Sequence, residues 1–483
     1  MTKIVIVGGG IAGLSAAYYT ARRTPQADIT VLEASDRWGG KITTDRVAFD
    51  DGQFVIEGGP DTFLATKPWG VGLCKELGLG DRLHGTNPQK KKTYVLNRNR
   101  LLPLPDGLAM MIPTNVGAIL KTRLVSWLSK ARMGLDFLLP AKSVNGDESL
   151  GSFVSRRLGR EAYENLIEPL MSGIYAGDGD QLSLASTFPY LRDLELQYGS
   201  LARGALAMRR QMSSNGQKVQ GSRSAFLTPT TGLAEIVEAL VTYLHTHSVN
   251  LKLNTSVKFV TRGSTQGTWH VILDAGETLS AHGVIIAAPA FAAARILAPL
   301  DSSLSADLQS IPYTSTATVS LAYRQKDVPR DLDGYGYVIP RREGRRALAC
   351  TWTSTKFPHR APEGYALLRV FIGRAGQDIP WHADDLLALA KEELKLTLGI
   401  TADPLLARVF MWDKAMPQYN LGHPELLRHI DTALENYPGL GLAGNGYRGI
   451  GIPDCIHSGE MAANKILDSL GVEHSIPSTH PDL

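Results

Sequence analysis

The sequence predicts an α/β (α+β) protein whose first domain is a Rossmann-like dinucleotide-binding unit, with a mixed-sheet domain and a helical domain beside it. Three observations at the start of the chain carry this. Residues 3–7 read KIVIV, and four of these five are β-branched apolar residues, as a strand buried on both faces requires. GGGIAGLSAA follows, with Gly8, Gly10 and Gly13 in G-x-G-x-x-G spacing at the head of a helical run, IAGLSAAYYTARR. DITVLEA then reads as a second strand and ends in Glu33, 20 residues beyond Gly13. Each part has a physical role. Gly8 permits the tight turn, Gly10 lets backbone approach a pyrophosphate, and Gly13 lets helix and strand pack closely. The free N–H groups at the helix start face the phosphates, and Glu33 is placed to accept hydrogen bonds from ribose hydroxyls.

Composition narrows the class. A chain of 483 residues can bury large cores and is expected to hold about two or three domains. Apolar residues make up 43% and charged residues 20%, an ordinary globular balance. A net charge of +3 is too small to suggest nucleic-acid binding. No signal peptide precedes the first strand, and no apolar run is long enough to span a bilayer. Cys74, Cys350 and Cys455 lie far apart without a C-x-x-C, which suits reduced thiols in a cytosol and indicates neither a disulfide framework nor a metal site. The expected location is cytoplasmic, with membrane contact at most peripheral.

Beyond Glu33 and Ala34 comes SDRWGGKITT. Its paired Gly39 and Gly40 bring backbone close to a cofactor, and Arg37 and Lys41 are cations for its phosphates. IEGGPDTF at 56–63 then places Gly58, Gly59 and Pro60 in a loop. In this order, GGGIAGLSAA, EASDRWGGK and EGGPDTF resemble the FAD-binding half of the amine oxidase and protoporphyrinogen oxidase superfamily. That fold divides its FAD domain over three sequence segments. The second is matched at 226–298, where TPTTGLAEIVEALVTYL gives a loop and an amphipathic helix with Leu233, Ile236, Val237, Leu240 and Leu244 on one face. LNTSVKFV follows as a strand. The third is matched at GLGLAGNGYRGIGIPDCIHSGEMAANKIL, a strand, a glycine-rich loop and a helix with Pro453 in its first turn.

The resemblance implies a non-covalently bound FAD, held by Gly8, Gly10, Ile11, Ala12, Gly13, Glu33, Ala34, Gly40, Lys41, Gly59, Pro60, Asp61, Thr62, Val257, Trp412, Gly444, Ile450, Gly451 and Ile452. Val257 would lend its backbone to the adenine. The helix after Gly451 would point its positive end at the flavin N1–C2=O edge. Many amine oxidases attach the flavin to a cysteine in an S-G-G-C-Y-like setting; Cys455 sits instead in GIPDCIHSG.

EPLMSGIYAGD at 168–178 and LSLASTFP from Leu182 resemble protoporphyrinogen and coproporphyrinogen oxidases specifically, closest to the coproporphyrin-forming type of Gram-positive bacteria. The activity this implies is oxidation of coproporphyrinogen III to coproporphyrin III in heme biosynthesis, with O2 reduced to H2O2 and a ferrochelatase downstream. Protoporphyrinogen IX is the alternative substrate, and a non-catalytic porphyrin carrier that retains FAD is a rival of another class. Hydride passes from a methylene bridge to flavin N5 in three two-electron cycles, so no catalytic side chain is expected. Substrate would meet Lys67, Gly173, Gly177 and Phe371. Leu102 stands where the plant type has a propionate-binding Arg, which moves that task to Lys67.

The expected organisation is FAD segments at 1–86, 226–298 and 406–483, substrate-domain pieces at 87–105, 206–225 and 299–405, and a helical domain at 106–205. Within the last, residues 107–140 read as an apolar helical stretch dotted with Lys and Arg, packed on a core or touching a membrane or partner.

Overall fold

A computed structural model describes residues 1–50, 52–106, 108–109, 112–113, 115–142, 146–214, 224–265 and 267–472. The N-terminal apolar run forms β1 (Lys3–Val7), followed by helix α1 (Ile11–Arg23) and strand β2 (Asp28–Leu32). Arg22 and Arg23 lie in the last turn of α1, where cations oppose the negative end of the helix dipole. Pro25 just beyond the cap at Thr24 prevents continuation.

β1 sits at the centre of a five-stranded parallel sheet. The order is Asn250–Lys252, β2, β1, Gly283–Ile286, Leu440–Leu442. Its strands come from three separate stretches of the chain. One face is covered by α1, by the helix Ala234–Thr246, and by the C-terminal helix Ile452–Ser469. Leu233, Ile236, Val237, Leu240 and Leu244 all enter this core. A second sheet of seven strands runs Leu406–Pro417, Tyr313–Arg324, Tyr365–Ile372, Ala347–Trp352, Gly334–Val338, Lys92–Asn97, Arg100–Pro103. A third, helical core gathers Leu150, Phe153, Leu166, Met171 and Leu191. Among the described residues no helix is long and apolar enough to cross a membrane.

Three expectations change in detail. The stretch 107–140 is not one helix: short strands Leu108–Ala109 and Ile112–Pro113 precede helices Val116–Lys121 and Trp127–Gly134. The Asn115 and Ser126 side chains cap these helices, accepting from Ala118 N and Ser129 N, and so divide the run. LNTSVKFV is strand only from Val257, because Asn254 adopts φ +50°. Residues 406–417, expected with the last FAD segment, form an edge strand of the seven-stranded sheet, paired antiparallel with Tyr313–Arg324. Residues 215–223 of the expected 206–225 segment lie outside the described residues.

α1 meets the C-terminal helix at backbone distance. A Cβ placed on Gly459 would lie 2.2 Å from Ala12 O and 2.9 Å from Ala16 N, so only glycine allows the contact. The buried pair Arg23–Glu460 at 2.6 Å closes the other end. Gly459→Val is expected to lower unfolding stability by about 1–3 kcal/mol through forced separation of the two helices. Gly173→Ala, in the helix Glu168–Tyr175 where a Cβ meets nothing within 4 Å, serves as the control and should keep or slightly raise the wild-type midpoint. Equal midpoints for the wild type and Gly459→Val would contradict the close approach.

Candidate active site

The site is built from the loops at the carboxyl ends of the parallel strands. Gly8 leaves β1 with φ +112°, and a Cβ on Gly13 would sit 1.9 Å from Gly8 O. Gly10 is different: a Cβ there would find only Gly40 Cα, at 4.0 Å. The turn is therefore closed toward the protein and open on one side. α1 has no side-chain cap and no acid in its first turn, so the N–H groups of Ile11, Ala12 and Gly13 begin the helix without a side-chain acceptor. An open cradle at an uncapped helix N-terminus fits the diphosphate of a dinucleotide.

Glu33 lies across this turn. Its carboxylate accepts from Gly9 N at 2.7 Å, from Ser35 N at 2.8 Å and from Ser35 Oγ at 2.7 Å. Ala34 beside it is exposed. Arg37, expected to face phosphates, instead donates to the backbone oxygens of Trp38, Gly40 and Ile42 and staples its own loop. Lys41 points its Nζ to Ala415 O at 2.5 Å and Asn445 Oδ1 at 3.3 Å, bridging three segments of the chain. Burial lowers its ammonium to about 8.

The 58–62 loop is held from the mixed sheet. A Cβ on Gly59 would lie 1.9 Å from Lys41 O, which fixes the loop against the preceding segment. Gly58 O accepts from Thr318 Oγ1 at 2.8 Å, Trp412 Nε1 at 2.8 Å and Arg369 Nη2 at 3.2 Å. Arg369 Nη2 also donates to Gly59 O. After Pro60, Asp61 pairs with Lys356 at 3.0 Å and accepts from Thr62 Oγ1 at 3.2 Å, while Arg360 donates to Asp61 O at 2.8 Å. Burial pushes the Asp61 carboxyl up, but Lys356, Arg369 and Arg360 more than offset this and hold it well below the usual carboxylate range.

The last segment supplies Gly444, with φ +120° and its N–H on Ser458 Oγ at 3.0 Å, then Ile450, Gly451 and Ile452 at the start of the C-terminal helix. Gly451 N donates to Asp454 Oδ2 at 3.2 Å. Cys455 is buried, which pushes its thiol up to about 12. Val257 starts its strand opposite Leu273, at a register shift. Among the described residues no group of three His, Cys, Asp or Glu is placed to hold a metal ion.

Of the residues expected at the substrate, Phe371 lies under the Arg369 guanidinium, 4.7 Å from ring centroid to carbon, and packs with Ala176, Leu348 and Ala349. The EPLMSGIYAGD segment thus meets the mixed sheet at Phe371. Lys67 caps the helix Pro68–Glu76 by position and bonds Asp454 Oδ1 at 2.5 Å, joining the first segment to the last helix. Gly173 is exposed. At Gly177 a Cβ would strike Gln418 Oε1 at 2.6 Å and Leu182 Cδ1 at 2.8 Å, so its smallness makes room for the protein's own chain. Leu102 is half-buried against the helical core. The sequence reading missed Arg369, Arg360, Lys356 and Thr318; a lone Arg inside the apolar strand ALLRVFIG was the available signal.

Known proteins resemble this chain over nearly its whole length. The model of the flavin-containing amine oxidoreductase family matches residues 11–467, and the chain belongs to that family. It is 40% identical over 478 residues to the coproporphyrinogen III oxidase of Bacillus subtilis (strain 168), covering 97% of this chain and 98% of that one. It is 36% identical to the coproporphyrinogen III oxidase of Staphylococcus aureus (strain NCTC 8325 / PS 47), over 97% and 100% of the two chains. The chloroplastic protoporphyrinogen oxidase of Oryza sativa subsp. japonica is 30% identical, over 96% and 88%. Among solved structures, one from Exiguobacterium sp. 255-15, provisionally assigned as a protoporphyrinogen oxidase, superposes with TM-score 0.84 at 33% identity, covering 97% and 99%. The chain is a flavin-dependent oxidoreductase.

Asp61 gives a pH test. Its folded carboxyl titrates below the unfolded value, so its stabilising contribution is complete above roughly pH 4 and fades as pH falls toward the folded value. Asp61→Asn should cost about 3 kcal/mol at pH 7 and flatten the stability loss below pH ~4. Denaturation curves that stay parallel for both proteins through the acid limb would remove Asp61 from this network.

Proposed function

We propose that the protein oxidises coproporphyrinogen III to coproporphyrin III with a non-covalently bound FAD. The single observation that carries this is near full-length likeness to three proteins named coproporphyrinogen III oxidase, at 33–40% identity, against 27–30% for plant protoporphyrinogen oxidases. Six hydrogens leave the macrocycle, and three O2 become three H2O2. The flavin, when bound, supplies the two-electron acceptor. The chain's own residues bind and orient. Gly8, Gly10 and Gly13 with the α1 N-terminus hold the diphosphate, Glu33 takes the ribose, and Val257 meets the adenine. The 58–62 loop, Trp412 and the 444–452 loop enclose the ring system. Cys455 supports release without a thioether bond, because burial keeps it a neutral thiol. Phe371 and the 168–178 segment wall an apolar pocket that keeps water from the reacting carbon.

The test is anaerobic. Coproporphyrinogen III should bleach the flavin and leave fluorescent coproporphyrin, and acid precipitation should release all the flavin as FAD. Porphyrinogen binding without bleaching would support the carrier reading instead.

Peripheral membrane contact is also proposed for the helical region. Trp127, Leu128 and Leu138 are 70%, 82% and 78% exposed, and Lys130 lies 4.2 Å over the Trp127 ring.

Lys67 is proposed to choose the substrate. Its side chain is 38% exposed beside Asp454, and it can turn a donor to a propionate. Coproporphyrinogen carries four propionates and protoporphyrinogen two. Lys67→Ala should lose about 0.5–3 kcal/mol of binding, more for coproporphyrinogen. Equal kcat/KM losses on both substrates would assign the selectivity elsewhere.

A further inference from the structure

Five charged side chains meet behind the Gly58–Gly59 turn. Glu57 pairs with Arg360 at 3.1 Å, and Asp61 with Lys356 at 3.0 Å. Arg369 is the fifth. Among the described residues no carboxylate oxygen lies within 4.0 Å of its guanidinium. Three cations therefore face two acids, and the surplus charge is that of Arg369. The residue is 2% exposed and sits mid-strand in Tyr365–Ile372, between Ser320 and Thr351 of the neighbouring strands. Nη2 serves Gly58 O and Gly59 O, while Nε and Nη1 are buried without partners. Burial lowers the guanidinium to about 10, which still leaves it charged at neutral pH.

A buried cation with no carboxylate in contact is costly even though Asp61 and Glu57 act on it through space, and an apolar residue at this strand position would avoid that cost. Its contacts say what the charge is used for. Nε and Nη1 are buried, and the contacts Arg369 does make are to the Gly58–Gly59 turn. Thr318 and Trp412 grip the same carbonyl and carry no charge.

We propose that Arg369 is a positioning residue for the flavin. It draws the Gly58 and Gly59 carbonyls into the mixed sheet and so fixes the turn against the cofactor, and its positive charge behind that turn, in contact with no carboxylate, favours the electron-rich form of the bound ring. The inference rests on the assignment of this turn to the flavin. It does not depend on which compound donates the electrons.

The test measures the two-electron midpoint potential of the bound flavin against reference dyes, together with FAD dissociation from the holoprotein. Arg369→Met should lower the potential by ~30 mV or more, a tenfold change in the two-electron equilibrium. Thr318→Val removes a neutral donor and should weaken FAD binding several-fold while holding the wild-type potential. Arg369→Lys keeps the charge but cannot bridge two carbonyls as a fork does, so it should hold the potential and weaken FAD binding about tenfold. A folded Arg369→Met holoprotein with wild-type potential overturns the proposal. If that variant yields no holoprotein, wild-type FAD affinity in Arg369→Lys overturns it. A wild-type flavin that dyes reduce but porphyrinogen does not would count against the proposed substrate and leave this result standing.

Discussion

The structure depends on two places where backbone meets backbone with no side chain between. At Gly13, α1 lies against the Gly8 carbonyl, and at Gly459 the C-terminal helix lies against the Ala12 carbonyl. A Cβ at either site would fall closer than about 2.3 Å to an oxygen, far inside van der Waals contact. α1 is therefore fixed from both sides, and its uncapped N-terminus is aimed by packing rather than by a capping side chain. That explains how residues more than 400 apart in sequence come together at the start of α1.

The second layer joins the parallel sheet to the mixed sheet. The 58–62 loop belongs to the first segment, but its carbonyls are bonded from three strands of the other sheet, through Thr318, Arg369 and Trp412. Glu57, just before the loop, accepts from Leu233 N and Thr44 Oγ1 as well as pairing with Arg360. Burial raises the Glu57 carboxyl, and Arg360 and these donors pull it back. The two sheets thus share one polar seam, and the 58–62 loop is bonded into it through the Gly58, Gly59 and Asp61 carbonyls. A loop held this way loses little further entropy when a ligand orders it.

What the sequence showed follows from the range of each interaction. The β1–α1–β2 unit is written in consecutive residues, and its glycine spacing encodes the turn directly. The buried cations were invisible because Arg360, Arg369 and Lys356 matter only through Glu57, Asp61 and Gly58, some 300 residues away in sequence. Lys67 was legible as a loop cation but not as a partner of Asp454, 387 residues on. Gly177 shows the opposite limit. A small residue signals close approach without saying what approaches, and here it is Leu182 and Gln418. The break in 107–140 could have been read, since Asn115 and Ser126 are good N-caps ahead of short apolar runs.

The central claim is that the open N-terminus of α1, fixed by glycine contacts, is the cofactor's anchor. Hydrogen exchange at single-residue resolution tests it directly, comparing the flavin-free and flavin-loaded protein. The account predicts that loading strongly protects the amides of Gly10, Ile11, Ala12 and Gly13, with far smaller changes in the seven-stranded sheet beyond the 58–62 loop. Unchanged exchange at these four amides on loading would contradict it.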